Sequence, residues 1–179
     1  MSKQKHLMID LETLSVQTTG VILSIGAVAF DIDTGKTFEQ FEIFPEVDSQ
    51  LENRTVAWST IKWWFTQEHE ARQSQVNVDR IKLDESLKQL INFISLNCES
   101  GFKVWANGFD INLLDHAYNQ IGIKSPWSYK NVLDLRSMVW LSKISTNQYG
   151  SVGTKHTALA DCLWQIAILA DAYKIIKEY

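Results

Sequence analysis

The sequence predicts an α/β domain: a five-stranded mixed sheet whose first three strands form an antiparallel meander, flanked by helices. Three observations lead there. Short segments rich in Val, Ile and Leu follow one another near the N-terminus with only brief links. Amphipathic helical patterns fill most of the remainder. Single short apolar stretches interrupt those helices, and this strand–helix alternation puts helices on both faces of a sheet. At 179 residues the chain is one domain's worth of sequence, long enough to bury a core without disulfide or metal staples.

Each element has its own reason. Residues 6–12 (HLMIDLE) are short, apolar and end in acids, which makes a strand. Residues 20–31 (GVILSIGAVAFD) are rich in Val, Ile and Ala and make a second. DTGK at 33–36 is a hairpin-type turn. Over 36–44, Phe38, Phe41 and Phe44 sit among polar residues as a third strand, and short links make the three an antiparallel meander. Residues 56–67 carry Trp58, Ile61, Trp64 and Phe65 at helical spacing. Residues 83–96 repeat Leu83, Leu87, Leu90, Ile91 and Ile94, a clean amphipathic helix. Strand character returns at 102–106, helix at 109–121 and a short strand at 131–135. Residues 157–177, with Leu159, Leu163, Ile166, Ala170 and Tyr173, form the last helix. No repeat, low-complexity tract or interdomain linker breaks the order.

Composition bounds the function. Hydrophobic residues make up 45% and charged residues 21%, which excludes a disordered chain. No apolar run approaches the roughly 20 residues of a membrane span, and MSKQKHLMID lacks the apolar stretch of a signal peptide. The expected location is cytoplasmic, with no membrane partner. Cys98 and Cys162 form no CxxC pair and are expected to be buried, reduced thiols. A net charge of −4 does not suggest a basic-patch nucleic-acid binder. Acids that hold metal ions also depress net charge, so its sign leaves the partner open.

The acidic residues carry the chemistry. Asp10 and Glu12 lie two apart on a strand, so both side chains share one face near its C-terminal end. Two carboxylates there repel and resist burial unless something offsets them. Mg²⁺ or Mn²⁺, which prefer hard carboxylate oxygens, would do so; a solvated strand end would also suffice. Asp110, in WANGFD, follows a strand and opens a helix, where an acid caps free N–H groups or faces a site at the sheet's carboxyl end. His156 and Asp161, in HTALAD, are five residues apart, about 140° around an ideal helix. They cannot stack on one helical face. His156 therefore belongs at the helix entry, with Asp161 one turn inside, so that both reach one site from different directions.

Together these segments carry a family pattern. D-x-E on the first strand, N-x-F-D after a middle strand and H-x-A-x-x-D opening the last helix resemble the DnaQ-like 3′→5′ exonucleases of the DEDDh subgroup. The resemblance covers residues 6–171 and extends to a W-W-x-x-Q segment at 63–67, as in compact phage and bacterial exodeoxyribonuclease-like and exoribonuclease-like proteins. It implies an RNase H-like fold and a two-metal-ion hydrolysis that releases nucleoside monophosphates. It implies that Asp10 bridges two divalent ions, Mg or Mn. Glu12 and Asp161 would complete the first ion's shell, and Asp110 would hold the second. His156 would be the general base, a role that suits a side chain titrating near neutrality. Thr13 and Leu14 resemble the contact to the terminal nucleotide, with Asn107 of the N-x-F-D segment and Trp64 as further substrate contacts. The expected substrate is a single-stranded 3′ end or 3′ overhang, DNA before RNA, and a homodimer is plausible.

Other residues are weighed against plainer roles. Trp63 and Trp64 are adjacent, so on a helix only one faces the core; the other can stack on a nucleobase, a sequence-tolerant contact. Trp105, Trp140 and Trp164 are expected in the core. Arg72, Arg136 and Lys155 could meet phosphates or be ordinary surface charges, and Asp134 could support the site. His6, His69 and His116 are expected to be structural. Residues 144–155 (ISTNQYGSVGTK) precede His156 and predict a loop that orders with metal and substrate. Rival readings are an exoribonuclease, a non-catalytic nucleic-acid-binding module on the same fold, and a phosphohydrolase of free nucleotides.

Overall fold

Short links fold the first three strands back on one another: β1 (Gln4–Thr13), β2 (Ile22–Phe30) and β3 (Thr37–Ile43) pair antiparallel. The computed structural model describes residues 3–150 and 153–178. In the turn between β2 and β3, Asp31 Oδ1 accepts from the Thr34 amide and hydroxyl, and Gly35 takes φ 72°. β4 (Cys98–Ala106) and β5 (Val132–Asp134) extend the sheet in parallel, giving the order β3-β2-β1-β4-β5. The helices are α1 (Trp58–Thr66), α2 (His69–Ser74), α3 (Leu83–Asn97), α4 (Asp110–Gln120), α5 (Leu135–Ser142) and α6 (Ala158–Lys177). The architecture is the five-stranded mixed sheet with flanking helices that the sequence predicts. No helix among the described residues is long and apolar enough to cross a membrane.

Two helices escape sequence reading. α2 (HEARQS) buries only Ala71 and has no apolar period to detect. α5 (LRSMVWLS) is only 8 residues long, about two turns, too short for its apolar face to stand out as a period. Its start has a local cause: Asp134 Oδ1 accepts from the Ser137 amide at 2.9 Å, capping the first turn. α5 also corrects the reading of Trp140, which is 78% exposed. Leu135, Met138 and Val139 take the packed side of that helix and leave Trp140 outside. Trp105 is buried as expected, and Trp164 packs at the core's margin. Both cysteines are free and buried.

The two-residue period of β1 sorts its side chains between two cores. Leu7, Ile9 and Leu11 face α3 and α4, packing with Leu87, Leu90, Leu113 and Leu114. Met8 faces the opposite side, with Val28, Phe30, Trp105, Ile166 and Leu169. Asp10 and Glu12 continue the Met8 row. β2 is buried along its whole length, which explains its unbroken apolar run.

Gly26 pairs with Asp10 across the β1–β2 ladder. A Cβ there would lie 2.4 Å from the Ala158 carbonyl carbon. The missing side chain thus lets the start of α6 rest directly on the sheet beside Asp10. The ladder then shifts register between Glu12 and Thr13, so that Leu23 of β2 is an extra residue. Arg80 donates to the Leu23 carbonyl at 2.8 Å and holds this irregular edge.

Candidate active site

Two periods meet where α6 crosses β1. Residues two apart on a strand are separated by about 6.6 Å. Residues four apart on a helix share a face and rise about 6 Å. Asp10 and Glu12 therefore match Gln165 and Asp161 rung for rung. On one rung, Gln165 Nε2 donates to Asp10 Oδ1 at 2.6 Å. On the other, Glu12 and Asp161 offer ligand atoms that, with a nitrogen of His156, all lie within 4.8 Å of one another. Asp110 comes from the first turn of α4, just past the end of β4, and is buried beside Asp10. Asp10 and Asp110 are outside the 4.8 Å group but electrostatically tied to it.

The electrostatics show how costly this arrangement is. Burial, above all, raises the carboxyl pKa of Asp10, with Asp110, Glu12 and Asp161 adding repulsion. Glu12 is raised by burial and then by Asp161 and Asp110. Asp110 is pushed up to about 7 by burial, against backbone hydrogen bonds and the Arg136 charge. Asp161 is raised by burial, against His156 and Lys155. Among the described residues, the three salt bridges are on the surface and touch none of these acids. Four converging carboxylates without an ion-pair partner suit hard divalent cations, which take oxygen ligands and repay the desolvation.

A cleft of about 400 Å³ opens onto the cluster, lined by Asp10, Asn107, Lys155, His156, Asp161, Trp164 and Gln165. His156 occupies its rim at φ 60°, the left-handed region that favours glycine; such backbone is uncommon and gathers at functional sites. The Trp63 ring meets His156 edge-on, 4.9 Å between centroids. Trp63 also lines a second cleft with Glu12, Thr13, Val16, Ser59, Thr60 and Phe109.

The expected substrate contacts divide. Thr13 lines the second cleft, but its hydroxyl donates to Ser15 O. The Leu14 amide donates to Val21 O and its carbonyl accepts from Ala57, so its backbone is spent on the fold. Trp64 is corrected: it is 7% exposed and its indole N–H donates to Thr13 O at 2.9 Å. The ring left free is Trp63, 42% exposed. Asn107 lines the first cleft, its Oδ1 accepting from Arg136 Nε at 2.8 Å. Asp134 Oδ2 accepts from the Gly108 amide, tying the segment before Asp110 to α5. Arg72 is half-buried, and its Nε is buried with no hydrogen-bond partner among the described residues. His6 accepts from the Trp105 indole, in keeping with a structural role. Of the loop at 144–155, residues 151 and 152 lie outside the described residues; before them, Tyr149 is anchored to α6 through Asp171 and Trp164.

Sequence reasoning missed Gln165 and Gly26. Gln165 follows Asp161 by four, the spacing that keeps a helix face, and a glycine inside an apolar strand signals close backbone approach.

A family model described as the 3′-5′ exoribonuclease Rv2179c-like domain matches residues 5–173. The chain belongs to that family. Its RNase H-like fold is shared with solved structures of low identity. One is the nuclease domain of 3′hExo, a DEDDh family member bound to rAMP. It is 16% identical, with a TM-score of 0.61, over 94% of this chain and 91% of that one. Another is S. pombe Pop2p in its Mg²⁺- and Mn²⁺-bound form, 15% identical with a TM-score of 0.60, over 94% and 82%. A third is Exonuclease I from Methylocaldum szegediense, 14% identical with a TM-score of 0.65; this chain covers 40% of that one. No curated protein matches. As a member of the Rv2179c-like family, the chain is a 3′→5′ exonuclease domain.

Proposed function

We propose that this domain shortens single-stranded 3′ ends or 3′ overhangs of RNA, using two divalent ions, Mg or Mn, held by Asp10, Glu12, Asp110 and Asp161. The observation that carries this reading is that three buried acids, Asp10, Glu12 and Asp110, gather with the half-buried Asp161 and His156 at the edge of one open cleft. RNA is favoured over the DNA expected from sequence because the matching family is described as an exoribonuclease domain.

When bound, the ions would polarise the scissile phosphate and lower the pKa of the attacking water. The protein's own residues do the rest. Asp10, central and buried, supplies the carboxylate around which the other acids gather. His156, on the rim beside Glu12 and Asp161, takes the proton of the attacking water. Trp63 offers a flat ring to the terminal base. Lys155, in the cleft wall, and Arg136, held against Asn107, meet the phosphates. Pairing of two copies belongs to the same proposal: Trp58 and Phe65, 65% and 64% exposed on α1, are apolar surface that it would cover.

The test is a set of 5′-labelled RNA and DNA oligonucleotides incubated with Mn²⁺ beside Asp10→Asn. Stepwise shortening, faster on RNA and lost in the variant, is the expected result. Faster DNA cleavage would restore the deoxyribonuclease reading. Retained binding without cleavage of either polymer would leave a binding module.

A further inference from the structure

The residue facing Asp10 is not another acid but Gln165, whose polar atoms are used unevenly. Gln165 is 2% exposed on α6 and lines the cleft. Its Nε2 donates to Asp10 Oδ1 at 2.6 Å. Its Oε1 is buried with no hydrogen-bond partner among the described residues. A buried amide oxygen left unpaired is costly, because it has given up its hydrogen bonds to water without replacing them. The fold tolerates this atom inside the cleft wall, four residues and one helical turn from Asp161.

We propose that Gln165 is the positioning residue for the central carboxylate. Its amide donor engages one oxygen of Asp10 and fixes that side chain's orientation, so that the other oxygen is presented to the cations. Its unpaired Oε1 points to a second duty, accepting a hydrogen bond from water in the loaded cleft. The choice of an amide has a chemical reason. A carboxylate at 165 would add a further negative charge to four, and an aliphatic side chain would leave Asp10 Oδ1 without its donor. Gln165 itself is neither a ligand nor a proton carrier. Partners behind metal ligands typically alter metal affinity by 10- to 100-fold when removed.

The inference rests on the metal-site reading, and the test separates the two. Mn²⁺ binding is measured by calorimetry or electron paramagnetic resonance on wild type, Asp10→Asn and Gln165→Met, which keeps the volume and removes both polar atoms. Weaker Mn²⁺ binding by roughly 10- to 100-fold in Gln165→Met, with the metal-free melting temperature kept, is expected. A partial return of turnover at saturating Mn²⁺ accompanies it, which a purely structural defect would not give. Wild-type affinity in Gln165→Met overturns the inference alone. No Mn²⁺ binding by wild type overturns the metal-site reading and the inference with it. Should Gln165→Met fail to fold, the wild-type protein still decides: the ¹⁵N-labelled Gln165 side-chain amide is followed by NMR during Mg²⁺ titration. Its resonances move with the binding isotherm if Gln165 positions Asp10, and stay fixed if it does not.

Discussion

Gly26 shows how much of the site depends on an atom that is missing. An added Cβ would meet the Ala158 backbone at 2.4 Å, and backbone cannot swing aside as a side chain can. Gly26→Ala therefore has to lift the start of α6, and with it Asp161, away from β1. Overpacking of this kind costs about 1–3 kcal/mol, at about 2–4 °C of melting temperature per kcal/mol for a domain of this size. Turnover should fall further than stability, because the Glu12–Asp161 rung opens first. Melting curves with parallel RNA assays check this; unchanged activity would mean that α6 is not held by this contact. Gly26 and Gln165 were hidden in the sequence for one reason. Each acts through a neighbour more than 130 positions away, so the local signals that mark them, the four-residue spacing from Asp161 and a glycine in an apolar strand, do not reveal the contact they make. Asp10, Glu12, Asp110, His156 and Asp161 were legible as candidates because each falls within a motif of a few consecutive residues.

At the scale of elements, α1 divides its two adjacent tryptophans between fold and function. Successive residues on a helix point about 100° apart. Trp64 turns inward to the Thr13 carbonyl, while Trp63 turns to the cleft and the His156 ring. The sequence showed that only one ring could be buried; which one depends on where β1 ends, and that is a tertiary fact. Trp64→Phe removes the indole donor and should cost about 1 kcal/mol of stability. Trp63→Ala should leave melting nearly unchanged and raise KM for oligonucleotides. A lost stacking contact of about 1–3 kcal/mol corresponds to roughly 5- to 150-fold. Steady-state kinetics on both variants read the split, and a Trp63→Ala protein with wild-type KM would sink the stacking role. The last helix and β2 were readily legible, one from a sustained apolar period and the other from an unbroken apolar run, while β3 showed only an imperfect alternation after a turn. α2 and α5 were not, being only 6 and 8 residues long, too short to show a period.

At the scale of the molecule, the four acids make stability depend on pH and on metal together. Burial raises the pKa of each in the folded chain, that of Asp110 to about 7. In the unfolded chain they titrate near the ordinary carboxylate value of about 4. Between those limits the native state holds protons that the unfolded state has released, so stability falls as pH rises. The protonated contribution is complete below about pH 4 and, for Asp110, is lost as pH passes about 7. Exposed acids such as Asp31 and Asp84 are shifted downward and act in the opposite sense. They are common to wild type and Asp10→Asn, so the comparison of the two isolates the site. Metal-free wild type should lose more melting temperature than Asp10→Asn across this range. Divalent cations replace the protons, so Mg²⁺ should stabilise wild type more at pH 8 than at pH 5, and binding should release protons. Thermal melts with chelator or Mg²⁺, and calorimetry in buffers of different ionisation enthalpy, measure both effects. A Mg²⁺ stabilisation independent of pH would mean that these carboxylates are already ionised in the metal-free fold, and that their burial is offset by something other than a cation.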